Sequence, residues 1–317
     1  MRFFLCVSVC VLSLGFAAYG EAPIEVGLDF FANPNHSPLY VADHLGFFAE
    51  EGLKLHLFIP GTASDPVKLA AARSLDVALT PQINYLIARS AGLPLLSIGA
   101  LIDHSLGGLL MRQAEGTAGI EDLRGKAIGY SLEPLEPILW RTMLGCAGIG
   151  EDEFRLINVG MSTMQALLAG NVDAIGAFRN FERIQAEQLG ADVAFFPQED
   201  YCIPPTYEIV LVSHPDLVEE RRSDLEGFLR ALARGIEYTV EHPDDAIRIF
   251  LSIHPDLDDA LNRAAFEATV PLYARGARHD DQGVWETLSG YLASQGLLEE
   301  QVPTGDLYTG SLLPDDE

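Results

Sequence analysis

The chain has 317 residues, 48% hydrophobic and 21% charged, with 29 glycines and 18 prolines, a folded composition long enough for two compact lobes. Its formal net charge of −26 repels phosphate backbones and anionic lipid, which argues against nucleic-acid partners and peripheral membrane attachment. No Cys/His cluster has metal-ligand spacing.

Residues 1–20 stand apart. Arg2 is their only charge, Phe3 to Phe16 is mostly apolar, and Ala18-Tyr19-Gly20 puts small residues at the cleavage positions. The apolar core is too short to cross a bilayer, so the segment reads as a secretory signal peptide cut near Gly20. Cys6 and Cys10 lack a convincing lipobox, and a soluble exported protein is expected.

Ile24 to Asp29 reads as a strand that breaks at Asn33-Pro34-Asn35 and restarts as a helix, with Ser37 as N-cap and Pro38 first in the helix. Leu39, Val41, Ala42 and Leu45 give the apolar face, and Gly46 stops it. The break places Asn33, Asn35 and His36 at a strand's carboxyl end, beside a helix N-terminus with unpaired N–H groups. Ligands of open α/β sheets bind there; a polar loop that simply caps a helix is the alternative. Leu53 to Ile59 alternates as a half-buried strand, with His56 on its solvated face. Next come a helix from Pro66 capped by Ser64 or Asp65, a short strand Val77 to Thr80, a helix Ile83 to Ala91, and a buried strand Leu95 to Leu101.

The chain then crosses into a second lobe. Strands at Gly108 to Arg112, Lys126 to Tyr130, Arg155 to Val159, Ala174 to Gly176 and Val193 to Phe196 are interleaved with helices at Glu136 to Leu144, Thr163 to Ala169 and Phe181 to Leu189. Glu208 to Val212 is the returning strand. The remainder is mostly helical: Asp224 to Glu241 with its stripe of Leu225, Phe228, Leu229, Leu232 and Ile236, then Pro243 to Leu251, Asp258 to Thr269 and Gly283 to Gln295. The tail after Pro303 has no pattern and is expected to fray. Cys146 and Cys202 could pair in an oxidising compartment, but nothing in the sequence brings them together; Cys146, after an apolar helix, reads as a buried small hydrophobe.

One internal echo organises the chain. Lys68 to Leu79 and Gln165 to Gly176 share a pattern: a small-residue helix, a tight turn, an aspartate (Asp76, Asp173) and a short buried strand. Each strand opens into a polar loop, Thr80-Pro81-Gln82 in one and Arg179-Asn180-Phe181-Glu182 in the other. Two similar α/β lobes facing across a cleft, on an exported chain, outline a solute-binding protein that closes on its ligand.

Leu28 to Val41, Gly46-Phe47-Phe48, Glu51-Gly52-Leu53, Ser64-Asp65-Pro66, Gly129-Tyr130-Ser131, Phe178 to Glu182 and Tyr207 to Val212 resemble the thiamine-precursor family, in order and over nearly the whole mature chain. That family includes periplasmic proteins that deliver a formylated aminomethyl-pyrimidine to an ABC importer, and the related eukaryotic pyrimidine synthase. The resemblance implies the type II periplasmic binding protein fold, an α/β fold with a hinge and a central cleft. It also implies lobe one over residues 23–104 and 209–317, lobe two over 105–208, a permease partner in the inner membrane, and a monomer working in the periplasm. The synthase branch carries a pyridoxal phosphate lysine and a histidine one turn on; Thr80 and Asn84 stand there in this chain, and Ile203-Pro204-Pro205-Thr206-Tyr207 replaces that branch's cysteine run. Without the lysine no Schiff base forms, so no cofactor and no enzyme activity are expected. Riboflavin, an aliphatic sulfonate and a pyrimidine synthase are the competing readings.

A flat aminopyrimidine wants aromatic faces and a carboxylate or amide at its edge. Phe31, Tyr130 and Tyr207 are candidate faces; Glu208 is the candidate for the exocyclic amine, because a carboxylate opening a buried strand needs a partner. Asn33, His36, Gln82 and Asn180 supply amide and imidazole contacts. Glu182 is either a ligand contact or the i, i+3 partner of Arg179. Glu133 and Glu136, flanking Pro134, are expected to cap the following helix or meet the edge of lobe one.

Overall fold

The described residues are 22–61, 65–113 and 119–314 of a computed structural model, so the expected signal peptide and Ser64 fall outside them. The chain begins with β1 (Ala22–Gly27), α1 (Ser37–His44), α2 (Phe47–Glu50), β2 (Leu53–Phe58), α3 (Asp65–Ala71), β3 (Val77–Thr80), α4 (Gln82–Ser90) and β4 (Leu96–Ile102). It crosses to a second sheet with β5 (Gly107–Arg112), β6 (Ala127–Tyr130), α5 (Leu135–Cys146), β7 (Arg155–Asn158), α6 (Thr163–Leu168), β8 (Ala174–Phe178), α7 (Glu182–Gln188) and β9 (Val193–Pro197). It returns as β10 (Ile209–Ser213) and ends in α8 (Pro215–Glu220), α9 (Arg222–Glu241), α10 (Pro243–Ile253), α11 (Ala260–Thr269) and α12 (Gln282–Ser294).

The two five-stranded sheets share one plan. Their orders are β2-β1-β3-β10-β4 and β7-β6-β8-β5-β9. In each, three parallel strands are followed by an antiparallel one that has just crossed from the other lobe, β10 in the first sheet and β5 in the second. The echoed aspartates have the same task in both. Asp76 Oδ2 accepts the Glu25 N–H of β1 at 2.8 Å, and Asp173 Oδ2 accepts the Ala127 N–H of β6 at 2.9 Å. Each carboxylate thus satisfies a main-chain donor at the start of a parallel pair, which fixes register and points the strand's far end at the cleft.

Apolar alternation accounts for the cores. Ile24, Val26, Leu79 and Leu211 project from the first sheet against Phe228, Leu229 and Leu232 of α9, all fully buried, and Phe48 stacks on Phe228 at 5.6 Å. A second cluster joins Leu109, Ile128, Trp140 and Met143 in lobe two. Each such side chain contributes about 1.5–3 kcal/mol by leaving water.

Several local expectations are corrected. The helical turn begins before Ser37, at a 3-10 turn over Pro34–His36 whose cap is Asn33. Asn33 Oδ1 accepts the Asn35 N–H at 3.0 Å, His36 Nδ1 accepts the Asn33 N–H at 3.3 Å, and the Ser37 hydroxyl donates back to the Pro34 carbonyl. The N–H groups of Asn33 and Asn35 are therefore engaged within the turn. Cys146 is exposed rather than buried and is disulfide-bonded to Cys202, tying the end of α5 to the loop after β9. His56, though half exposed, pairs with Glu25 at 2.8 Å. The tail does not fray over its described length: Leu307 is buried, Thr309 N–H donates to the Ser97 carbonyl, and Tyr308 stacks on Trp285 at 5.1 Å. Short α8 was hidden because its apolar residues, Leu217 and Val218, number only two.

Candidate ligand-binding site

Between the lobes lies a cavity of about 250 Å³. Its wall is built from the carboxyl ends of β3, β6 and β8 and from the residues that lead into β5 and β10; the loops after β3 and β8 are the two that the internal echo singles out. Pro81, Gln82 and Asn84 come from lobe one; Ser131, Glu136, Trp140, Phe178 and Glu182 come from lobe two; Thr206, Tyr207 and Glu208 sit on the crossing.

The two crossings are bonded to each other. Ser105 and Thr206 hydroxyls lie 3.1 Å apart, Thr206 N–H donates to Ser105 Oγ at 3.0 Å, and Leu106 N–H donates to Glu208 Oε2 at 2.7 Å. Glu208 thus holds the opposite crossing with one oxygen while facing the cavity. Burial pushes its pKa up from 4.5 to about 7; Asp29 and Glu199 add to the rise, while the Leu106 N–H and Arg179 oppose it.

Gln82 opens α4 and is fully buried. Its Oε1 accepts the Tyr207 N–H at 3.0 Å, which fixes the amide and leaves Nε2 without a partner. Tyr207 is buried against Trp285 at 5.9 Å, and its hydroxyl accepts the Asp281 N–H at 3.1 Å. Glu182 opens α7, where its Oε2 accepts the Phe178 N–H at 2.9 Å; burial raises its pKa, with Glu136 adding to the effect. Arg179 pairs instead with Glu199, so the alternative partnership within the turn is not formed. Neither glutamate caps α5: Glu136 reaches back to accept the N–H groups of Ser131 and Leu132 in the loop before the helix, and Glu133 accepts the Tyr130 hydroxyl.

The structure thus brings Gln82, Glu182, Tyr207 and Glu208 together in one wall. It places the other five candidates elsewhere. Phe31 is 61% exposed and packs edge-on against Phe30. Asn33 caps the 3-10 turn, and His36 is fully buried, with Nε2 2.8 Å from Asp29. Tyr130 lies in the core of lobe two. Asn180 ties the lobes: its Nδ2 donates to Asn35 Oδ1 at 2.9 Å and to Thr269 Oγ1 at 2.8 Å.

Trp140 is the main residue that sequence reasoning missed. It sits in the apolar stripe of α5 with Leu139, Met143 and Leu144, so it looks like core. The signal lies in Gly176. A Cβ there would come within 2.4 Å of Trp140 Cζ2, so the glycine leaves room for the indole to lie over β8 and reach the cavity. Among the described residues, none that lines the cavity is Lys, Arg or His, while three are glutamates.

Strand order and cleft together define a two-lobed α/β fold of the periplasmic binding protein type. It superposes on the periplasmic aliphatic sulphonate binding protein of Escherichia coli with a TM-score of 0.73 at 14% identity, over 89% of this chain and 95% of that one. The chain belongs to the NMT1/THI5-like family, whose model matches residues 33–246. It is 34% identical to a Haemophilus influenzae protein named putative thiamine biosynthesis protein, over 94% of both chains. It is 30% identical to the formylaminopyrimidine-binding protein of Halalkalibacterium halodurans, over 90% of this chain and 89% of that one. The family also holds enzymes: a 4-amino-5-hydroxymethyl-2-methylpyrimidine phosphate synthase of Legionella pneumophila is 27% identical over 93% of both chains.

Proposed function

We propose that this chain is the periplasmic substrate-binding protein of an ABC importer and that its cleft holds a formylated aminomethyl-pyrimidine without chemical change. The observation that carries this reading is the charge and donor pattern of the wall. Among the described residues, three glutamates and no basic side chain line the cavity. An anion enclosed there would be desolvated among carboxylates with no countercharge, which costs several kcal/mol. That argues against a sulfonate and against any phosphorylated guest, including a pyrimidine phosphate or pyridoxal phosphate. A cavity of about 250 Å³ suits one substituted ring better than a three-ring flavin, since ligand pockets run from about 300 to 1,000 Å³. Thr80, where the synthase branch has lysine, is almost wholly buried and has no amine with which to form a Schiff base.

The exocyclic amine of an aminopyrimidine donates to carboxylates, and a ring nitrogen accepts from the Gln82 amide. Tyr207 supplies an aromatic wall. Isothermal titration and thermal unfolding with the formylated aminopyrimidine test the reading, with an alkanesulfonate and the hydroxymethylpyrimidine phosphate as controls. Heat and a raised melting point are expected for the neutral pyrimidine alone. No heat and no shift at millimolar pyrimidine would refute the ligand assignment, because a ligand at 100 times its Kd adds about 2.7 kcal/mol of stability.

A further inference from the structure

Two buried donors in the cavity wall have no partner: Gln82 Nε2 from lobe one and Trp140 Nε1 from lobe two. Gln82 is 0% exposed and Trp140 3%. Neither can turn away to find a bond. The Gln82 amide is held by the Tyr207 N–H on its Oε1, and the Trp140 ring lies on Gly176, with Glu136 on the same side of the strand. An unsatisfied buried donor is a standing cost, and a guest that brings an acceptor to it removes that cost.

We propose that Trp140 is a specificity-determining residue, whose Nε1–H donates to an acceptor on the guest opposite the one that Gln82 engages, so that the cleft selects neutral planar heterocycles with acceptors on two edges. The inference rests on the ligand reading above and refines it. One donor comes from each lobe, so a guest with acceptors on both edges is bonded to both halves, whereas a guest with one leaves a donor orphaned in the closed cleft. Discrimination by this route is strong because the penalty falls on the wrong guest. The carboxylates of Glu182 and Glu208 take up the guest's own N–H groups, and the absence of a cation from the wall keeps acceptors that are anions out.

The chain has two tryptophans, which makes the test direct. Trp285 Nε1 already donates to the His279 carbonyl at 2.7 Å, so its indole proton is engaged with or without ligand. In a proton–nitrogen correlation spectrum of the whole mature protein, saturation with the formylated aminopyrimidine is expected to move one of the two indole signals downfield. That signal disappears in Trp140→Phe. The variant keeps a ring over Gly176 and is expected to bind about 5-fold to 100-fold more weakly, the span for a buried hydrogen bond lost with its partner left orphaned. The two pyridine analogues, each with one ring nitrogen replaced by C–H, complete the test. The unaltered protein is expected to separate them in affinity, and Trp140→Phe to bind them more nearly alike. A bound pyrimidine that leaves both indole protons unmoved overturns this inference and leaves the ligand reading standing. An unaltered protein that gives no heat with the pyrimidine overturns both.

Discussion

Replacing Glu208 by Gln is expected to stabilise the protein above neutral pH and to leave it unchanged in acid. Its carboxyl is lifted from 4.5 to about 7 in the folded chain. Between those values the folded state keeps a proton that the unfolded chain releases, so stability falls as pH rises through the window, and the loss is complete above pH 7. A rise of this size corresponds to a ceiling of about 3 kcal/mol, reduced by whatever water the cavity admits. Glutamine has no charge to desolvate and retains an oxygen for the Leu106 N–H, so it escapes the cost. At about 2–4 °C per kcal/mol for chains of 150–250 residues, Glu208→Gln should melt roughly 5–10 °C higher at pH 8 and at the same temperature at pH 4. Paired thermal melts at the two values decide it. An equal gain at both, or none at pH 8, would refute the argument that burial holds this carboxyl up. A residue kept against stability in the wall of a cleft is what a binding role predicts.

Gly176→Ala should lower stability by about 1–3 kcal/mol, the cost of overpacking, because the new Cβ meets Trp140 at 2.4 Å inside β8, and should weaken pyrimidine binding in the same titration. Reduction of Cys146–Cys202, or a Cys146→Ser and Cys202→Ser pair, should cost about 4 kcal/mol by the chain-entropy relation for two cysteines 56 residues apart, read as a lower melting point. Asn180→Ala removes two hydrogen bonds between the lobes; a loss of about 1–2 kcal/mol and a larger radius of gyration in solution scattering are expected.

The sheets and the lining loops were legible because they rest on local patterns. Val77–Thr80 is a strand at the residues its apolar run specifies, and the Asp76 and Asp173 echo marks equivalent corners of both lobes. Gln82 and Glu182 follow from those corners, and Tyr207 and Glu208 from the opening of the strand that returns to the first sheet. What stayed hidden depends on tertiary neighbours. Asn180 looks like a ligand contact until Asn35 and Thr269 arrive from 145 and 89 residues away. Trp140 looks like core until Gly176 clears space beneath it. Cys146 meets Cys202 only after β7, α6, β8, α7 and β9 have turned the chain back, and the described tail is held by Trp285 of α12 and by Ser97 of β4, both far from it in sequence.

The placement of β10 has a consequence for how the molecule is made. This strand alone bridges β3 and β4 in the first sheet, yet it is encoded after every strand of the second. A ribosome therefore releases β1 to β4 with the place between β3 and the edge strand β4 unfilled, whereas β5 to β9 follow one another in the sequence and make up the whole second sheet. Long-range pairing of that kind is slow and leaves strand edges open in the meantime. The second sheet can assemble as an unbroken segment, and the first must wait for residue 213 before its two portions are joined.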